Sequence, residues 1–115
     1  MVSGAGYVPT QGEIVSVSIG RGKGHEAMGR RPFICLSNEL VSRFANIAIF
    51  APISTTERRY PLYIPLDPGL ETGGVVMLDQ LVTIDYTARG ARYVETVSEQ
   101  LLDRLLETAV LIFQK

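Results

Sequence analysis

From Glu13 to Ile19 the chain alternates polar and apolar side chains, with Ile14 alone out of step. That period of two predicts a half-buried strand after a turn at Gly12. Pro32 to Ser37 is a short, largely apolar run suited to a central strand, followed by a polar turn around Ser37, Asn38 and Glu39 and one helical turn to Arg43. Ala45 to Pro52 reads as a third strand. Tyr60 to Leu66 alternates again as a fourth, and Pro61 and Pro65 place it at a sheet edge, since proline cannot donate to a ladder. Val75 to Ile84 predicts one long strand bent near Asp79, and Ala91 to Val97 a last one. Turn residues separate these runs, at Ser54 to Arg59, Asp67-Pro68-Gly69 and Gly73-Gly74.

The period then changes. Leu101, Leu102, Leu105, Leu106, Ala109, Ile112 and Phe113 recur at helical spacing, which predicts a closing helix packed on the core along this stripe. Thr96 or Ser98 can cap it, and Thr96 with Glu99 has the spacing of a capping box. Strands followed by one terminal helix predict a mainly β (α+β) fold in a single domain over residues 1–115. The expected form is a small, strongly curved antiparallel sheet, covered on one face or end by the helix.

Composition fits that size. With 115 residues, 46% hydrophobic and 20% charged, one modest core is expected. The longest apolar runs fall well short of the roughly 20 residues that span a bilayer, and the N-terminus has neither a basic segment nor an apolar one of the signal-peptide kind. A cytoplasmic protein without membrane contact is the expectation. The lone Cys35 lies inside an apolar run and reads as a core residue. One histidine and one cysteine, without carboxylates at ligand spacing, predict neither a metal site nor a cofactor.

Charge is unevenly spread. The net value is −1, yet residues 20–59 hold seven Lys and Arg against three acids, whereas residues 60–115 hold four against eight. The basic half also contains the chemically densest segment, Lys23 to Pro32. There Gly20, Gly22, Gly24 and Gly29 predict a loop of about ten residues, longer than most connections and therefore a functional candidate. It gathers Lys23, His25, Glu26, Arg30 and Arg31. Arginine pairs with phosphate through a planar fork, and histidine titrates near neutral pH. RNA or another phosphate ester is the substrate class this suggests.

Taken in order, Tyr7-Val8-Pro9, Gly12-Glu13-Ile14-Val15, Gly24-His25-Glu26, Gly29-Arg30-Arg31-Pro32, Pro52-Ile53-Ser54-Thr55, Tyr60-Pro61, Gly74-Val75-Val76 with Asp79-Gln80, and Ile84-Asp85 leading to Ala88-Arg89 resemble the MazF/PemK toxins over nearly the whole chain. The resemblance implies a small SH3-like barrel as one form of the fold, and a sequence-specific, metal-independent endoribonuclease of a toxin-antitoxin system. Such an enzyme cleaves single-stranded RNA, including mRNA, by 2′-hydroxyl transesterification and so inhibits translation and growth. It also implies a homodimer and a cognate antitoxin that lays an acidic segment over the RNA groove, with DNA reached only through the antitoxin. Arg31 matches the family's catalytic arginine, and Ser54 falls where a catalytic threonine is usual. Glu26 and His25 compete for the proton-carrying role. Histidine's pKa near 6.5 suits a general base better than glutamate's near 4.3, unless burial raises the latter. Arg30, Thr55, Asp79, Gln80, Lys23 and Arg58 are the expected substrate contacts.

Departures from the family are visible as well. Met77 stands where the PemK branch has a basic residue two positions before its aspartate, here Asp79. Ser16 and Ser18 occupy positions often filled by tryptophan and aspartate, and the chain has no tryptophan. Two alternatives follow: a gyrase poison of the related CcdB kind, which is not an enzyme, or an inactive binding member of the same fold.

Overall fold

The computed structural model describes residues 6–19 and 29–115, so the expected loop over 20–28 lies outside it. In chain order the elements are β1 (Glu13–Ser18), β2 (Arg30–Cys35), α1 (Glu39–Ser42), β3 (Ile47–Ser54), β4 (Tyr63–Pro65), β5 (Val75–Met77), β6 (Val82–Asp85), β7 (Arg92–Thr96) and α2 (Glu99–Leu111). All the strand pairs are antiparallel. The sheet runs β4-β5-β3-β2-β1-β7, with β6 also paired to β3. It stays open between β4 and β7, so the closed barrel offered as one form of the fold is not found among the described strands.

β3 is the axis of the sheet. One edge pairs with β2, while the other pairs with β6 from Ile47 to Phe50 and with β5 at Ile53 and Ser54. That division corrects the single strand predicted over 75–84. Adjacent Met77 and Leu78 break the alternation, Leu78 is fully buried, and a 3-10 turn over Leu78–Gln80 moves the chain from one half of β3 to the other. The Leu78 N–H donates to the Leu62 carbonyl at 2.9 Å, which fixes the turn against the approach to β4. β4 is an edge strand, where Pro65 is tolerated, and it is shorter than the strand predicted over 60–66 because Pro61 sits in the turn that precedes it.

Because side chains alternate, the central strands β1, β2 and β3 each feed two clusters. Ile14, Ile34, Ala51, Ile53, Ile64, Val76 and Leu78 pack on one face with Leu101 and Leu105 of α2. Val15, Val17, Cys35, Ala48 and Phe50 pack on the other with Ile84, Tyr86 and Ala91. Cys35 is fully buried, and burial pushes its thiol up to about 11, as suits a core residue. Ser98 caps α2 through its Oγ, 3.1 Å from the Leu101 N–H, whereas Thr96 belongs to β7 and shares a hydrogen bond with the Tyr93 hydroxyl. The helical stripe is core only as far as Ala109. Ile112 and Phe113 lie past the helix end and are exposed.

Candidate active site

Strand register builds the site. On the face of the second cluster, Arg31 pairs with Val17 of β1 and Phe33 pairs with Pro52 of β3. Carrying the β2 and β3 register two residues further brings Ser54 opposite Arg31, and Ser54 in turn pairs with Val75 of β5, which pairs with Pro65 of β4. A row therefore crosses the sheet through Val17, Arg31, Ser54, Val75 and Pro65. A parallel row passes through Val15, Phe33, Pro52, Met77 and Tyr63. Toward Val15 these rows sink into the core, and toward β4 they open to solvent.

The open part forms a cavity of about 600 Å³ lined by Arg31, Phe33, Pro52, Ser54, Thr55 and Met77, among others. Arg31 is exposed at its rim, and the one ion pair among the described residues, Arg43 with Glu39, does not involve it. Ser54 Oγ accepts from the Thr56 N–H at 3.1 Å, which fixes the hydroxyl and leaves its proton to donate elsewhere. Gly74 presses on the same point. Its φ is +113°, and a Cβ there would lie 2.2 Å from the Ser54 carbonyl oxygen. Only glycine permits that approach, so β5 can reach the end of β3.

A second cavity of about 630 Å³ shares Ile19, Phe33 and Pro52 with the first and adds Gln80, Val82, Asp85 and Arg89. Asp85 Oδ1 accepts from the Thr87 and Ala88 N–H groups at 3.1 and 2.9 Å, and this turn presents Arg89. Phe33 and Arg89 were not singled out as site residues in the sequence. Alternation from Arg31 would have found Phe33, but Arg89 depends on β6 folding back over β3.

The remaining expected residues are dispersed. Arg30, one residue from Arg31, is on the opposite strand face. Its Nε donates to Ser16 Oγ at 2.7 Å, and its Nη2 donates to the Ser16 carbonyl at 2.6 Å and to the Gly90 carbonyl. Burial, then the nearby Arg92 charge, pulls it below the ordinary arginine range. Asp79 is exposed on the 3-10 turn, and Gln80 Nε2 approaches Met77 Sδ at 3.7 Å. Arg58 lies in a third cavity with Tyr60 and Tyr63. Lys23, His25 and Glu26 lie outside the described residues. Among the described residues, no group of His, Cys, Asp and Glu could hold a metal ion.

An arginine rim, fixed hydroxyls and an apolar wall are the parts of a phosphoester site. Residues 10–113 match the family described as the PemK-like, MazF-like toxin of type II toxin-antitoxin systems. The chain belongs to this family. It is 33% identical over 96 residues to the endoribonuclease toxin MazF of Escherichia coli K12, covering 84% of this chain and 86% of that one. Against the endoribonuclease PemK of Escherichia coli it is 33% identical over 100 residues, covering 84% and 75%. The MazE-MazF structure from Deinococcus radiodurans superposes with a TM-score of 0.80 at 22% identity, over 93% of this chain and 96% of that chain. The fold of this PemK-like chain is thus the MazF fold. The gyrase-poison alternative is not favoured, since these relatives are endoribonucleases.

Proposed function

We propose that this PemK-like, MazF-like chain is an endoribonuclease toxin that cuts single-stranded RNA by attack of the 2′-hydroxyl on the adjacent phosphodiester. The register that sets Arg31 opposite Ser54 carries the reading. A guanidinium is a poor proton donor but a strong partner for a phosphorane, to which its fork and the Ser54 and Thr55 hydroxyls would hydrogen-bond. Glu26 or His25 would take the 2′-hydroxyl proton and return one to the departing 5′-oxygen. Gln80 and Asp79 would meet base edges, Lys23 and Arg58 the flanking strand, and Arg30, on the opposite strand face, would serve the site by tying β2 to Ser16 and Gly90.

The family's type II systems pair each toxin with an antitoxin, and MazF is crystallised with MazE in the structure noted above. An acidic antitoxin segment over the Arg31 rim is the expected inhibitor. A homodimer is supported by the apolar surface around the end of α2. Val110, Leu111 and Phe113 are 55%, 61% and 74% exposed, and Val110 and Phe113 line an apolar cavity of about 160 Å³ with Leu36, Ile49, Leu81 and Leu106. No described helix is long and apolar enough to cross a membrane. Action on cytoplasmic mRNA is the proposed setting.

The deciding experiment incubates purified protein with a long single-stranded RNA in EDTA. Discrete fragments ending in a cyclic phosphate and a 5′-hydroxyl are expected. Intact RNA at large enzyme excess overturns the nuclease reading in favour of an inactive binding member. Arg31→Ala should slow cutting at least 100-fold without changing the thermal melt, because a transition-state cation is lost and no core contact is.

A further inference from the structure

We propose that Arg58, Tyr60 and Tyr63 form a subsite that stacks one unpaired nucleobase of an RNA strand lying beside the Arg31 and Ser54 cavity. The proposal rests on the nuclease reading for its ligand and on its own geometry for the place. Tyr60, Pro61, Leu62 and Tyr63 make a four-residue turn, closed by the Tyr63 N–H on the Tyr60 carbonyl at 2.9 Å. The turn brings the two rings together edge to face, with centroids 5.0 Å apart and planes 81° to each other. The Arg58 guanidinium carbon sits 5.2 Å from one centroid and 5.7 Å from the other. Its backbone is held too, by the Arg58 N–H donating to Thr56 Oγ1 at 3.2 Å.

This corner opens on a cavity of about 630 Å³ whose floor is Val75 and Pro65. Those residues are the outer members of the row that begins at Arg31 and Ser54. Ser54 and Pro65 are two strand spacings apart, ~10 Å, a reach that a short single-stranded segment covers. A flat π-face beside a guanidinium plane is the usual platform for an unpaired base, and it tolerates any base. Glu57 and Arg59 at the rim supply an acceptor and donors for base edges. The paired rings offer a face on which a flat base can stack and a carboxylate side chain cannot, which favours RNA over an acidic antitoxin segment as the occupant.

The test is a cycle between protein and ligand. Cleavage by the parent locates the scissile position. A single-stranded RNA carrying a 2′-deoxy sugar there binds without being cut, and an abasic nucleotide is moved one position at a time along it. If the parent cuts nowhere, unmodified RNA serves directly. Tyr60→Leu is expected to weaken binding roughly 10-fold, Arg58→Ala similarly, and Tyr60→Phe hardly at all. One abasic position should weaken the parent by about the same factor and leave Tyr60→Leu unchanged. Parent-like binding by Tyr60→Leu, or an abasic scan in which no position couples to it, overturns the subsite even where cutting is normal. Failure of the nuclease reading looks different: the parent leaves RNA intact while the binding cycle still reads. A parent that binds no RNA overturns both. If Tyr60→Leu loses only its grip on an acidic antitoxin segment, the corner belongs to that partner and the RNA assignment falls.

Discussion

Ser54 shows how one side chain is shared between architecture and chemistry. Its Oγ accepts the Thr56 N–H, so the hydroxyl is oriented before any substrate arrives. Ser54→Ala should cost about 1 kcal/mol of stability for that bond, read from a denaturant midpoint, and should lower the RNA cleavage rate as well. Ser54→Thr restores the hydroxyl on a stiffer χ1, so cleavage at or above the parent rate is expected. Arg31, Ser54 and Thr55 were all legible as residue types near a strand end, and their meeting in one cavity follows from register. Arg30 was not separable from Arg31 by composition. Strand parity sends one toward Ser16 and Gly90 and the other to the cavity rim, and parity becomes certain only once pairing is known.

At the scale of elements, the approach of β5 to β3 is the sensitive joint. Gly74→Ala combines a positive φ with a Cβ inside the Ser54 carbonyl, so a loss of about 2 kcal/mol or more in urea unfolding is expected, with cleavage falling further than Ser54→Ala alone. The segment before Gly74 is moored by Glu95 of β7, whose carboxylate accepts from Glu71 N–H, Thr72 N–H and Thr72 Oγ1 at 3.1, 2.8 and 2.7 Å. Burial alone would raise its pKa, but the Thr72 hydroxyl and the two N–H groups outweigh that and hold it below the usual glutamate range. A depressed folded pKa means stability present above the unfolded value and lost as pH falls through the folded one. Urea midpoints measured downward from ~pH 5 should therefore fall less steeply for Glu95→Gln than for the parent. The glycine pair was readable as a turn, but the contact partner of Gly74 was not. The split of residues 75–84 was hidden for a related reason: alternation cannot report that Leu78 has a buried place waiting outside the strand.

For the whole molecule, the exposed apolar surface at the end of α2 is the one proposed to meet a second copy of the chain. Phe113→Glu should convert the expected dimer to a monomer in sedimentation, while the domain still melts cooperatively because Phe113 is not part of the core. If the mutant and the parent sediment alike, another surface joins the copies. The overall class, many strands and one late helix, was plain from the change of hydrophobic period. Openness of the sheet was not, since closure depends on whether two distant edges meet.

The row through Val17, Arg31, Ser54 and Val75 also bears on how fast the chain can fold. Its members are supplied by four strands scattered between Glu13 and Met77, and α2 packs against their other face. Contacts of such long separation form late in folding. Refolding should therefore be slow beside that of a helical protein of the same length, because these closures cost chain entropy before any contact repays it.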